Sequence, residues 1–294
     1  VSGAQPHFGP VEVLFDAGVF LESPGWHDGT CWFSDIGGGK VYRIDAALGV
    51  AQVVLSGLPG PSGLGWTSGG DMLIAALHDS TVYRVGPDGK ARPFVGPEQH
   101  GASGTNDMAT AQGRSYVTCS GYVLEQGDDG TAPPKPTGSI LLIDHATGSC
   151  QTVASGYYMP NGVAVTPDGA TLIVAELYAR RVLKFPILSD GTLGEATVFA
   201  EFDHIVDGLC LDAEGGLWLG TGLDRFQRVD ATGKPAGVVE VRGWSCVAPM
   251  LGGPDGRTLI MVTNFMERPD DILSGKAKGR VLTTQVDIPA AKAT

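Results

Sequence analysis

No apolar run in this chain of 294 residues approaches the ~18 consecutive residues that a membrane-crossing helix needs. Basic residues are scarce too: 20 Lys and Arg stand against 32 Asp and Glu, a formal charge of −12. That balance excludes the basic surface on which nucleic-acid binding depends, and we read the acidity as serving solubility. Cysteine numbers five, at 31, 119, 150, 210 and 246, with no metal-type spacing and one always left over from pairing. Cys31, Cys119 and Cys210 lie in or beside strand-like runs, where a free thiol packs as a small hydrophobe. There are six His and no His pair at ligand spacing. No Gly-x-Ser-x-Gly elbow occurs, which argues against a serine nucleophile. Gly37-Gly38-Gly39 sits in a hairpin rather than before a helix, so it is no phosphate loop. No basic region followed by an apolar core opens the chain. The expectation from these absences is a protein of the reducing cytoplasm with no nucleic-acid or membrane partner; the oligomeric state is left open.

What is abundant is punctuation. Forty-four Gly and nineteen Pro are spread between short apolar runs, which marks turns and not low complexity. One phrase, Met159-Pro160-Asn161-Gly162-Val163-Ala164-Val165-Thr166-Pro167-Asp168-Gly169, recurs in altered form along the chain. Aligned on it, one slot is filled in turn by Glu22, Ser62, Asn106, Asn161, Asp207 and Ala248, spaced 40, 44, 55, 46 and 41 residues apart. Each slot is followed about seven residues later by a turn pair such as Asp28-Gly29, Gly69-Gly70 or Asp255-Gly256. Repeats of this length built only from strands, with no long segment of helical period, predict an all-β, six-bladed β-propeller of four-stranded antiparallel blades over residues 1–294 as one domain. The last repeat ends on its third strand, Arg280–Val286, and a spare strand, Val11–Phe15, precedes the first. Pairing the two closes the ring and removes two open edges.

Ser120–Gly138 and Asn264–Lys278 are longer connections, each following a second strand. In an up-and-down blade that junction lies at the same end as the entry to the next first strand. Both should overhang the mouth that holds the recurring slot, and we read them as lids. First strands line a propeller's channel, so Glu22, Asn106, Asn161 and Asp207 should converge on its axis. Two carboxylates and two amide carbonyls form a hard oxygen cage. Such a cage suits one divalent metal ion, Ca²⁺ first, with Zn²⁺, Mn²⁺, Mg²⁺ or Fe²⁺ as alternatives, although zinc more usually recruits His or Cys. A single Asn or Asp before Gly is ordinarily a turn residue; four in one register, Glu22 among them, are not explained that way.

Leu21-Glu22-Ser23-Pro24-Gly25-Trp26, Thr105-Asn106-Asp107, Met159–Ala164, Val206-Asp207-Gly208 and Val286-Asp287-Ile288-Pro289 together resemble the family of senescence marker protein (regucalcin), gluconolactonases and luciferin-regenerating enzyme, over the whole chain. The resemblance implies a six-bladed propeller with one axial divalent metal held by Glu22, Asn161 and Asp207. It matches Asn106 to an Asn that ligates the metal or touches substrate. The related diisopropyl fluorophosphatase has the same four-oxygen arrangement. One position departs: Gly104 stands where sugar lactonases of this family often carry an Arg that grips a polar lactone. The register also places His78, Tyr122, Tyr178, Phe265, Tyr157, Tyr158, His204 and Trp244 at the mouth. An aromatic wall favours a less polar substrate, although each ring alone also fits blade-to-blade packing. Val123 and Leu124, beside Tyr122, are expected to face the pocket. His204 is the first candidate for acid or base work and His78 the second, while His7 and His145 are expected to be exposed. The expectation is a metal-dependent hydrolase of a lactone or related cyclic ester acting on a small molecule, with Asp207 as base. Phosphotriester hydrolysis, metal-assisted lyase or isomerase chemistry, and a non-enzymatic binding propeller are the alternatives.

Overall fold

The computed structural model describes residues 8–45, 49–123 and 135–291. Along the chain run β1 (Glu12–Asp16), β2 (Leu21–His27), β3 (Thr30–Asp35), β4 (Lys40–Asp45), β5 (Ala51–Ser56), β6 (Pro61–Trp66), β7 (Met72–Ala76), β8 (Thr81–Val85) and β9 (Ala91–Val95). A four-residue helix, α1 (Pro97–His100), precedes β10 (Thr105–Ala111), β11 (Arg114–Cys119), β12 (Gly138–Asp144) and β13 (Cys150–Tyr157). Then follow β14 (Pro160–Val165), β15 (Thr171–Glu176), β16 (Arg181–Pro186), β17 (Thr197–Glu201), β18 (Leu209–Leu211), β19 (Leu217–Gly220), β20 (Arg225–Val229), β21 (Pro235–Glu240), β22 (Ser245–Gly252), β23 (Thr258–Phe265) and β24 (Lys278–Gln285). They form six four-stranded sheets in up-and-down order, the blades of a propeller. No helix of the described residues is long and apolar enough to cross a membrane.

Why strands and not helices form is visible at the turns. Gly29, Gly70, Gly113, Gly169, Gly215 and Gly256, which close the six first-to-second-strand turns, all have positive φ. Glycine reaches that region without a Cβ penalty, so each repeat of the phrase reverses the chain at one place. The inner strands are buried on both faces. In β15, Leu172 and Val174 pack toward the third blade, while Ile173 and Ala175 pack toward the fifth. Six apolar clusters result, one per blade junction. Truncating a fully buried ring such as Phe33 or Phe226 to Ala should cost about 3–5 kcal/mol. The outermost strands, such as β5 and β13, are largely exposed.

The ring closes as expected. β1 pairs antiparallel with β24, Glu12 opposite Thr283 and Asp16 opposite Arg280, making the sixth blade β22-β23-β24-β1. Arg280 Nη2 lies 2.7 Å from Asp16 Oδ2, and the Phe15 ring stands 5.1 Å from both Phe33 and Tyr42 of the first blade. The N-terminal strand therefore fastens the sixth blade to the first.

Candidate metal centre and mouth

Five first strands carry a register break at the recurring slot, the one in β22 falling just before Ala248. Ser62-Gly63 faces Ala75 alone, Asn106-Asp107 faces Thr118 alone and Asn161-Gly162 faces Ala175 alone, while in β2 the break follows Glu22. A bulge re-aims the side chains it contains. The glycines serve a second purpose: a Cβ on Gly162 would lie 2.5 Å from Leu209 N and 2.6 Å from Asp207 O. Only glycine lets the fourth and fifth blades approach this closely, and the Gly162 N–H donates to the Asp207 carbonyl at 3.2 Å. The Gly after Asn161 is thus an axial packing residue.

Each member of the slot is held by its own neighbours. The Asn264 carboxamide pairs with the Leu21 backbone, accepting its N–H at 2.8 Å and donating to its carbonyl at 2.8 Å. That latch ties the sixth blade to the residue preceding Glu22. The Ser34 hydroxyl donates to the Glu22 carbonyl at 3.2 Å, and Ser23, at φ 45°, donates its N–H to Glu22 Oε2 at 3.1 Å. Ser62, in the same slot one blade on, donates to Asn106 Oδ1 at 2.8 Å. Ahead of Asn161, buried Glu176 accepts the Tyr158 N–H at 2.7 Å and binds Arg181 through its other oxygen at 2.7 Å. Met159 then adopts φ 57° and delivers Pro160-Asn161 to the axis. The Thr118 hydroxyl, donating to the Asn161 carbonyl at 2.9 Å, bridges the third and fourth blades.

Glu22, Asn106, Asn161 and Asp207 are all buried. Burial pushes the Glu22 carboxyl well above its usual range, and the charges of Asp207 and Asp107 push it further. Asp207 rises to about 8, from burial first and Asp107 second. Asp107 is raised by burial and eased by the Ser23 hydroxyl, which donates to its Oδ1 at 2.6 Å. Asp107 is the residue that sequence reasoning missed. Strict alternation turns it away from Asn106, and the bulge cancels that alternation. It also borders a cavity of about 160 Å³ that continues along the axis between Trp26, Trp66 and Met250. Asp207 Oδ1 is buried with no hydrogen-bond partner. Among the described residues no group of three or more His, Cys, Asp or Glu side chains is gathered at ligand spacing. The expected set needs carboxamide oxygens beside two carboxylates. A divalent cation fits this centre on chemistry: hard oxygen donors, excess negative charge, and one carboxylate oxygen with nothing else to bind.

The model of the SMP-30/Gluconolactonase/LRE-like region matches residues 20–265. The chain belongs to that family. Among curated relatives, it is 24% identical over 290 residues to 6-deoxy-6-sulfogluconolactonase of Pseudomonas putida, covering 94% of each chain. It is 25% identical over 258 residues to pentonolactonase XacC of Haloferax volcanii, covering 82% of this chain and 80% of the relative. A 165-residue stretch, 54% of this chain, matches strictosidine synthase-like 7 of Arabidopsis thaliana at 25% identity and spans 43% of that protein. The crystal structure of a calcium-binding protein, regucalcin, from Agrobacterium tumefaciens superposes with a TM-score of 0.78 at 23% identity, covering 97% of this chain and 96% of that one.

The mouth of this family member holds some expected residues and draws others into packing. Tyr122, Tyr158 and Tyr178, on three different connections, and Phe265, at the end of β23, are exposed at the slot's end of the propeller. His78 is half-buried beside Gly60, its pKa lowered mainly by burial, and its Nε2 is buried without a partner. Tyr157 instead stands edge-on to Phe185 at 5.8 Å, within the junction of the third and fourth blades. Trp244 packs on the junction of the fifth and sixth, 6.3 Å from Phe265 and beneath Arg280 at 4.2 Å. His204 is buried with both ring nitrogens engaged, Nδ1 on the Ile205 carbonyl at 2.8 Å and Nε2 on Gln227 Oε1 at 3.0 Å. Both ring nitrogens of the expected acid–base candidate are thus engaged within the protein. His145 is buried against Ser115 Oγ at 2.8 Å, not exposed. Leu124 and His7 lie outside the described residues, and Val123 is half-buried.

Gly104 receives a structural reason. Its φ is 68°, it is buried, and a Cβ there would overlap Ser120 Oγ and the Tyr122 carbonyl. Ser120 donates its N–H to the Gly104 carbonyl at 2.9 Å, and Gly104 donates to Ser80 Oγ at 2.9 Å. The start of the longer connection is packed onto this glycine. An Arg at 104 would be strained by this backbone and would have to displace Ser120 and the Tyr122 carbonyl.

Proposed function

We propose that this chain is a divalent-metal-dependent hydrolase of a lactone or related cyclic ester less polar than an aldonolactone. One observation carries the reading: a family slot where buried Glu22 and Asp207 repel each other and Asp107, with Asp207 Oδ1 left unpartnered. Glu22, Asn161 and Asp207 would hold the cation, Ca²⁺ by donor hardness, with Asn106 a fourth oxygen that also meets substrate. When bound, the cation supplies a Lewis acid for the ester carbonyl. The chain's own residues do the rest. Asp207 accepts the proton of the attacking water on the carboxylate oxygen that the cation would leave free. Water adds to the acyl carbon, the ring carbon–oxygen bond breaks, and the ring oxygen leaves with a proton as the hydroxyl of a hydroxy acid. His78 and the exposed tyrosines orient the substrate, Trp244 and Tyr157 support them from behind, and His204 positions the loop before Asp207.

The pentonolactonase and 6-deoxy-6-sulfogluconolactonase relatives favour a rival, a polar sugar lactone. Turnover of gluconolactone against an alkyl-substituted lactone, with and without chelator, decides between them. Elemental analysis showing no metal even after calcium, manganese or zinc is added would sink the metal. We place the chain in a reducing cytoplasm, since the five cysteines are all free.

A further inference from the structure

A second site lies at the other end of the propeller, between the fourth and fifth blades. A cavity of about 720 Å³ opens there, lined by Pro167, Ile173, Leu211, Ala213, Ala231 and Pro289, with Lys184 inside it. The third strands show why Lys184 is unusual. Arg43, Arg84, Lys184 and Arg228 occupy one register position, opposite Trp32, Leu73, Ile173 and Trp218 of their second strands; Arg43 is exposed and donates to Gln52 Oε1 at 2.9 Å. In the second blade, Arg84 Nε is held by Asp71 at 2.7 Å and its guanidinium lies 5.2 Å over Phe94. In the fifth, Arg228 Nε is held by Asp212 at 2.8 Å. Both aspartates sit in the turn between the first and second strands of their own blade. In the fourth blade the aromatic half of this cradle is kept: Lys184 Nζ lies 3.7 Å over the Phe199 ring. The acidic half is missing. The corresponding turn, Pro167-Asp168-Gly169-Ala170, has one carboxylate, and it is turned back on Thr166 Oγ1 at 2.6 Å and on the Ala170 N–H at 3.0 Å. No ion pair to Lys184 exists among the described residues. Burial lowers its pKa, as expected of an ammonium without a counter-charge. The other acids at the cavity are committed, since Arg228 binds Asp212 at 2.8 Å and Glu214 at 3.3 Å.

We propose that this cavity binds an apolar monocarboxylate, whose carboxylate takes on Lys184 the place that Asp71 and Asp212 take on their arginines. The aliphatic or aryl body of the ligand then covers Ile173 and Leu211. Lysine suits this better than arginine, because a compact point charge accepts one carboxylate oxygen without demanding a planar fork.

The test is titration of hexanoate, with hexanamide as its uncharged counterpart, by calorimetry and ligand-observed NMR. Hexanoate should saturate the protein and bind at least tenfold more tightly than hexanamide. Lys184→Met, which keeps the stem and removes the charge, should weaken hexanoate at least tenfold. Ala231→Trp fills the exposed rim of the cavity with Lys184 intact and should also abolish binding. Asp207→Asn, at the opposite end, should leave it unchanged. The proposal is overturned if the wild type shows no saturable binding in the millimolar range. It is equally overturned if both cavity variants bind as the wild type does, or if Asp207→Asn removes binding, which would put the ligand at the mouth. Should Lys184→Met fail to fold, Ala231→Trp and the hexanamide comparison decide.

Discussion

Asp207→Asn should make the metal-free protein more stable while ending its function. The substitution keeps the side chain's shape and removes one of three crowded charges. In the folded chain Asp207 is raised from the ordinary 3.8 to about 8. That is roughly four pH units at about 1.4 kcal/mol each, so full ionisation at pH 8 is opposed by at most about 6 kcal/mol. Glu22 and Asp107 give up or take protons as Asp207 ionises, and the three side chains relax apart, so we expect about a third to a half of that, ~2–3 kcal/mol. The sign follows from proton binding. A carboxyl with a raised folded pKa binds its proton more tightly folded than unfolded. Its stabilisation is full below about pH 4 and lost as pH rises toward about 8. The variant has no such loss, so its advantage should be near zero at pH 4 and largest at pH 8. For a chain of this length, with an unfolding entropy of roughly 0.6 kcal/mol per degree, ~2–3 kcal/mol is about 3–5 °C in Tm. Urea and thermal unfolding in excess chelator, from pH 4 to 8, measure it. Calcium should cancel and then reverse the order: at 100 times its Kd the ion adds about 2.7 kcal/mol to the wild type, at 1,000 times about 4.1 kcal/mol, and nothing to a variant that cannot hold it. A variant no more stable than wild type at pH 8 in chelator, or an advantage independent of pH, refutes the reasoning.

Other consequences are open to measurement. Removing the Asn264 latch with Asn264→Ala strands the buried Leu21 N–H and carbonyl; it should cost about 1–3 kcal/mol and weaken calcium binding through Glu22, with Asn264→Gln rescuing neither. Gly104→Arg should lower stability by about 1–3 kcal/mol with no gain on gluconolactone, and a properly folded variant with improved kcat/KM on polar lactones would contradict the packing account. Tyr122→Ser with Val123→Ser should raise KM for apolar lactones at unchanged metal content and Tm; if KM stays put for every substrate tried, the connection after β11 is no lid. An alkyl-substituted lactone should exceed gluconolactone in kcat/KM, and parity between them would remove the less polar substrate class.

The propeller was legible in the chain because its determinants are local. Turn glycines recur at a fixed distance from the slot, and strands buried on both faces need runs such as Leu172-Ile173-Val174-Ala175. The closing strand was legible for the same reason, since an unpartnered strand at each end of the chain leaves one economical pairing. The slot itself, Glu22, Asn106, Asn161 and Asp207, could be read because a repeat puts equivalent residues at equivalent places around an axis. What the sequence could not contain was anything depending on two distant segments meeting. Asp107 joins Glu22 and Asp207 only because a bulge in β10 breaks alternation. His204 is tied into the fold because Gln227, 23 residues on, meets its Nε2. Gly104 is glycine because Ser120 and Tyr122 occupy the space a side chain would need. Lys184 lacks its counter-charge because the turn beside it folds its one carboxylate back on itself. Periodicity is a property of the chain and survives translation into sequence. Register breaks, close approaches and the pairing of buried charges belong to the folded molecule, where a shift of one residue decides which side chains meet.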